Sequence, residues 1–272
     1  MDLKIPSVVC TVLHEYMTAI NGQIPQCVEG LYIHGSIALN AFVDNSSDID
    51  FISVVNRRLN ETDIQLLSNI HREISDKYPH PDMDGAYLQW GDLGKPESDV
   101  EHYPFYNSKT LHPKGLFNQN PVTWWTLKHH GIVVVGPDPK ELKFDVDKDL
   151  LIDYVFNNMN TYWSQRLVQM ENNRNMLSQF SNSDVEWEIE WSVLGMLRQY
   201  YTLRESDIIS KVDAGEYALI QMPEQWHRAT REALSIRKAL GERYYASNEE
   251  RITDFLAFLR YILEHCNQMM RK

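Results

Sequence analysis

Residues 31–55, reading LYIHGSIALNAFVDNSSDIDFISVV, constrain the fold more than any other stretch of the chain. The short apolar run Leu31-Tyr32-Ile33 is broken by Gly35-Ser36, and Ser47-Asp48-Ile49-Asp50 opens a second apolar run over residues 51–55. The pattern predicts a strand, a turn, a short helix, a loop and a second strand. Strand side chains alternate between faces, so Asp48 and Asp50 share one face while Ile49 and Phe51 point into the core. Two carboxylates held on one face repel each other, and a divalent cation relieves that repulsion. Hard cations such as magnesium choose carboxylate oxygens and keep room for substrate phosphates. Gly35 permits backbone angles that other residues avoid, so a phosphate can approach the main chain closely. N–H groups of a turn entering a helix favour an anion, and the Ser36 hydroxyl adds a hydrogen bond. A phosphate cradle beside a carboxylate pair points to a metal-bound nucleoside triphosphate. The alternative, solubilising charges at a loop end, requires two strands and a Gly-Ser turn to coincide by chance.

Gly35-Ser36 followed by Ser47-Asp48-Ile49-Asp50 resembles the signature of the nucleotidyltransferase superfamily related to DNA polymerase beta. The longer resemblance is to the aminoglycoside nucleotidyltransferases, in particular the streptomycin/spectinomycin adenylyltransferases. It implies an α+β protein with an N-terminal mixed-sheet nucleotidyltransferase domain and a C-terminal helical bundle. It also implies ATP as co-substrate and magnesium, as two ions, on Asp48 and Asp50. Ser36 and Ser47 would then contact the β- and γ-phosphates beside Gly35.

The rest of the first half supports a sheet domain. Residues 6–20 place Val9, Val12, Leu13, Tyr16 and Ile20 at helical spacing, with Gly22 and Pro25 beyond. Asn60 caps a helix over residues 61–77. Residues 82–90 read as a third strand. The resemblance implies a third carboxylate there, and Asp84 fills the role, accepting the proton of the substrate hydroxyl as it attacks the α-phosphate. Asp84 is one methylene shorter than the family's Glu, and Asp82 on the same strand face competes for the role. Residues 97–117, with Pro104 and Pro113, read as a long irregular segment over the site mouth, and His102 and His112 as surface residues without zinc spacing. Asn120-Pro121 starts a helix that Gly131 ends, and residues 132–135 read as a buried strand.

After about residue 147 the strand signals stop. Helices are expected over residues 149–177, 184–204, 223–240 and 248–269, giving domains at residues 1–146 and 147–272. Arg198 and Lys211 echo the family's Arg-bearing helix and Lys-bearing loop, which implies that both reach the triphosphate in a cleft between the domains. The physical reason stands beside this: a triphosphate carries more negative charge than its metals cancel. Asp184, Glu186, Glu188 and Glu190 crowd a helix start, either as compensation of the helix dipole or as an acidic rim for ammonium and guanidinium groups. Asp184 and Glu188 match acidic positions of the family and are the candidate substrate-binding pair. Trp187 beside them reads as a core residue.

Net charge narrows the partners. At −12 over 272 residues the chain lacks the basic footprint of a nucleic-acid binder, and suits a cationic small-molecule substrate. Three cysteines without metal spacing read as buried reduced thiols, and no apolar run approaches membrane-spanning length. The expectation is a cytoplasmic protein without membrane contact, as a monomer or a homodimer. The expected activity is transfer of AMP to a hydroxyl of a spectinomycin- or streptomycin-class compound, with pyrophosphate released. A different acceptor or a non-catalytic nucleotide-binding role is the alternative.

Overall fold

The computed structural model describes residues 5–44, 46–174 and 180–271, and the chain divides into two compact units, Met1–Asp147 and Lys148–Lys272. The first is built on a six-stranded mixed sheet in the order β5-β4-β3-β2-β1-β6. Its strands are β1 (Val28–Ile33), β2 (Ile49–Val55), β3 (Met83–Leu88), β4 (Tyr103–Asn107), β5 (Thr110–Gly115) and β6 (Ile132–Val135). Only β2 and β3 run parallel, which requires the crossover helix α3 (Glu61–Lys77) between them. That helix begins where Asn60 accepts from the Asp63 N–H and Asp63 accepts from the Asn60 N–H, satisfying two of the orphan donors of a helix start.

Strand alternation sorts the core into two layers. Leu31, Ile33, Ile49, Phe51, Met83 and Tyr87 pack on one face against α1 (Ser7–Gln23) and α3. Tyr32, Ile52, Val54, Ala86 and Leu88 pack on the other with Trp124 and Leu127 of α4 (Pro121–His130). The expected strand–turn–helix–loop–strand unit is present as β1, the one-turn helix α2 (Gly35–Ala38) and β2.

Three expectations need correction in this unit. Residues 97–117 are not irregular, because β4 and β5 form a hairpin whose turn places Ser108 and Lys109 at positive φ. Pro113 is tolerated because β5 is an edge strand, where a missing N–H costs no ladder bond. β6 is the opposite edge and only half-buried, with Val133 exposed, so its apolar run did not imply burial on both faces. Cys27 and Cys266 are buried, but Cys10 is exposed on α1.

The second unit is helical. The expected helix over residues 149–177 is α5 (Lys148–Asn158), a π-helical turn at Met159–Trp163, and α6 (Ser164–Asn172); its last residues, 175–177, lie outside the described residues. Then come α7 (Asn182–Glu205), α8 (Lys211–Gln221), α9 (His227–Arg237) and α10 (Asn248–Met269). The central helix α7 packs on α5, α8, α9 and α10. Ser181 caps α7 and Ser210 caps α8, each accepting from a backbone N–H three residues on. Among the described residues no helix is long and apolar enough to cross a membrane.

Candidate active site

The pairing of β2 with β3 sets Asp50 directly opposite Asp84. In a parallel pair, opposed residues share a face, so both carboxylates lie on the α4 side of the sheet, at the N-terminal ends of both strands. Asp48 precedes β2 by one residue and is exposed. The Gly-Ser turn is fastened to this corner. The His34 N–H donates to the Asp50 carbonyl at 3.0 Å, and Gly35 has φ +62°. A Cβ on Gly35 would stand 1.9 Å from Asp50 Oδ2. Glycine is therefore demanded twice, by the left-handed backbone and by the carboxylate lying where a side chain would be.

The Ser36 hydroxyl is buried, and no protein group hydrogen-bonds it. A buried hydroxyl costs free energy until a partner arrives, which suits a ligand oxygen. Ser47 is buried and its Oγ accepts from the Val43 N–H at 3.0 Å, bracing the loop that delivers Asp48.

Asp84 is half-buried and is gripped from β4 and the β4–β5 turn. Its carboxylate accepts from Asn107 Nδ2 at 2.8 Å and from the Ser108 N–H at 3.3 Å. Burial, and then the charges of Asp48 and Asp50, push its pKa up to about 7, against the lowering effect of those two hydrogen bonds. A carboxyl poised there can exchange a proton near neutrality. Asp82 is used differently: its side chain accepts from the Met83 N–H and its carbonyl accepts from Ile49, tying β3 to β2. Asn107 and Ser108 were invisible to sequence reasoning, because the prolines on either side suggested loop; the alternating Tyr103, Phe105 and Asn107 was the available signal.

In the helical unit each candidate residue already has a partner within the protein. Arg198 donates its Nε–H to the Ile209 carbonyl at 3.0 Å. Lys211 opens α8, and its Nζ lies 3.1 Å from Glu190 Oε1. Glu190 also receives Arg237 at 3.5 Å, a residue the sequence did not single out. Glu188 is bonded by Arg166, at 3.3 Å from Nε and 2.5 Å from Nη2, and by the Ser192 hydroxyl at 2.5 Å. Glu186 takes Arg243 and Arg251. Asp184 accepts from the capping hydroxyl of Ser181. The four acids thus fan around α7 instead of forming one rim. Trp187 is exposed, contrary to expectation, and stacks on Trp191, which lies under the Arg166 guanidinium.

Residues 168–261 match the family described as aminoglycoside adenylyltransferase, C-terminal domain. The search among curated proteins finds no match. Among solved structures, the spectinomycin adenyltransferase AAD(9) from Enterococcus faecialis, with ATP and spectinomycin, aligns with a TM-score of 0.67 and 17% identity. The alignment covers 94% of this chain and 99% of that one, a likeness of fold. The mixed sheet, the Gly-Ser turn and the opposed carboxylates belong to the part of the chain that this likeness of fold covers and the family match does not. The family match lies in the helical unit, whose residues 168–261 are similar to the C-terminal domain of aminoglycoside adenylyltransferases.

Proposed function

We propose that this chain transfers AMP from magnesium-ATP to a hydroxyl of an aminoglycoside or aminocyclitol of the spectinomycin or streptomycin class, in the cytoplasm. The observation that carries the reading is the register that sets Asp50 opposite Asp84, beside a turn that ends in the unbonded Ser36 hydroxyl. AAD(9), similar in fold, was solved with ATP and spectinomycin.

Among the described residues no group of three or more acidic, His or Cys side chains is drawn together tightly enough to hold a metal alone. Magnesium fits nonetheless, because it binds through one or two carboxylates plus substrate phosphates. Asp48 and Asp50 would hold it, and the charge they impose on Asp84 is the repulsion a cation relieves. When bound, magnesium neutralises charge on the phosphates.

The chain's own residues do the rest. Gly35 and Ser36 receive phosphate oxygens, with Ser47 shaping the loop beside them. Asp84 takes the proton of the acceptor hydroxyl as its oxygen bonds to the α-phosphorus. The bond from that phosphorus to the bridging oxygen breaks, and pyrophosphate leaves with the electron pair. Arg198 and Lys211 supply positive charge to the phosphates from the helical unit. Asp184 and Glu188 engage cationic groups of the acceptor.

The test is pyrophosphate release from magnesium-ATP with a panel of aminoglycosides and aminocyclitols, with Asp48→Asn as the blank. Release dependent on one drug class, with an adenylyl mass increment on that drug, supports the reading. Tight ATP binding without release for any drug moves the function to another acceptor or to a non-catalytic role.

A further inference from the structure

Lys211 sits where several physical terms oppose a cation. It is the first residue of α8, at the end of a helix that favours negative charge. Its side chain is partly buried, and Arg237 and Arg198 lie near enough to disfavour its charge. Burial is the largest cause and lowers its pKa, while Glu190 opposes the shift. Broken local rules of this kind gather at functional positions.

Glu190 does not treat these cations as a dedicated partner would. Elsewhere in this protein, Arg58 grips both oxygens of Asp92 at 2.7 and 2.9 Å, the fork-on-fork geometry of a structural pair. At Glu190, by contrast, Lys211 and Arg237 share one oxygen, Oε1, at 3.1 and 3.5 Å. Lys211 reaches the second oxygen only at 3.5 Å. Glu190 and Arg237 are both buried, at 7% exposure each, so the shared carboxylate has been taken out of water to serve two cations loosely. That is a high cost for a purely structural contact.

We propose that Glu190 is an internal counter-ion standing in for nucleotide phosphate. It holds Lys211 and Arg237 together and yields them to the polyphosphate chain, making Arg237 a phosphate-contacting cation alongside Lys211. This rests on the assignment of Lys211 to the nucleotide phosphates. The arrangement keeps two like charges pre-positioned, so that less ordering is required when the ligand arrives. It also moderates affinity, because the displaced carboxylate repels the phosphates and favours departure of pyrophosphate.

The experiment is calorimetric titration of the intact chain with inorganic tripolyphosphate, in chelator and at fixed low salt. Lys211→Met and Arg237→Met are each expected to weaken binding about tenfold, the loss of roughly one charge-assisted contact. Glu190→Gln is expected to tighten it about three- to tenfold. Glu190→Asp, which keeps the charge but withdraws it by one methylene, should tighten it less, and it serves if the Gln variant does not fold. Equal or weaker binding by the Glu190 variants, or wild-type binding by Arg237→Met, overturns the proposal. If Lys211→Met alone weakens binding, the phosphate assignment survives and only the role of Glu190 and Arg237 falls. Wild-type binding by Lys211→Met removes the phosphate assignment itself, and this proposal with it.

Discussion

Two stretches that place acids at alternate positions, one in each unit, behave oppositely. Asp48-Ile49-Asp50 enters a strand, where a spacing of two keeps both carboxylates on one face. Register then adds Asp84 across the pair. Asp184, Glu186, Glu188 and Glu190 lie on α7, where a spacing of two turns each side chain about 200° from the last. Glu186, Glu188 and Glu190 therefore each meet different basic residues, and Asp184 caps its own helix. The strand concentrates negative charge, which adds to burial in raising the pKa of Asp84, while the helix disperses its charge into pairs. Identical sequence spacing thus gathers carboxylates at one corner in one unit and spreads them among separate ion pairs in the other, and the period of the element decides which.

The sharpest way to break this comparison is to remove one strand acid. Asp50→Asn and Asp48→Asn are each expected to lower kcat by about 10³-fold or more, in the range for losing a principal electrostatic group. Circular dichroism should be unchanged, because neither side chain carries the core. Retention of a tenth of the activity by either variant would mean that the shared face is not the reactive corner.

Asp84→Asn separates function from stability. Transfer should fall by about 10²–10⁴-fold, the range for a general base, with ATP binding less affected. In chelator the same variant should be more stable than the wild type. The sign follows from linkage. The folded protein holds the Asp84 proton up to about pH 7, against an ordinary carboxyl value of 3.8. Wild-type stability therefore declines as pH rises from about 4 to about 7 and is level above, and the Asn variant lacks that decline. A gain in Tm of about 4 °C or more at pH 8, shrinking toward pH 4, is the expected result. Equal melting at both pH values would show that neither burial nor the neighbouring acids hold the proton on Asp84.

The strand corner was legible in the sequence because its parts are local. Gly35, Ser36, Asp48 and Asp50 fall within a few turns and one strand, and glycine and alternation each have one physical meaning there. The capped starts of α3 and α4 were legible for the same reason: Asn60 and Asn120 each cap their helix through a bond three residues away. What depends on distant pairing was not legible. Asn107 reaches Asp84 across 23 residues, from a hairpin that two prolines disguised. Arg237 meets Glu190 only through the packing of α9 on α7. The π-helical turn at Met159–Trp163 inserts into an otherwise helical pattern without Gly or Pro to announce it. Exposure of Trp187 likewise had no local cue, since a tryptophan at helical spacing reads as core whichever way the helix turns.

The helical acids give smaller effects, and Glu188→Gln is the larger of them. It removes the charge that faces Arg166 at a site where the carboxylate side chain is only 12% exposed. The guanidinium keeps its place over Trp191, so the expected loss is about 1–3 kcal/mol of stability, read by urea unfolding. If Glu188 also meets the acceptor, the KM for the drug rises while kcat is kept, the pattern of lost uniform binding. A fall in kcat of the size seen for Asp50→Asn would place Glu188 with the strand acids and erase the distinction.

Asp184→Ala is expected to be the mildest change. The side chain is exposed, and its partner is the Ser181 hydroxyl that caps the same helix. An acid in the first turn of a helix contributes about 0.3–1 kcal/mol. The Ser181 hydroxyl still accepts from the backbone N–H of residue 184 when the carboxylate is gone, so the cap survives and the stability loss should stay near the lower bound. A drug KM raised about tenfold with stability nearly unchanged would show that an exposed capping acid also receives a cationic acceptor. An unchanged KM would leave Asp184 as a capping residue alone, and would confine acceptor recognition on this face of α7 to Glu188.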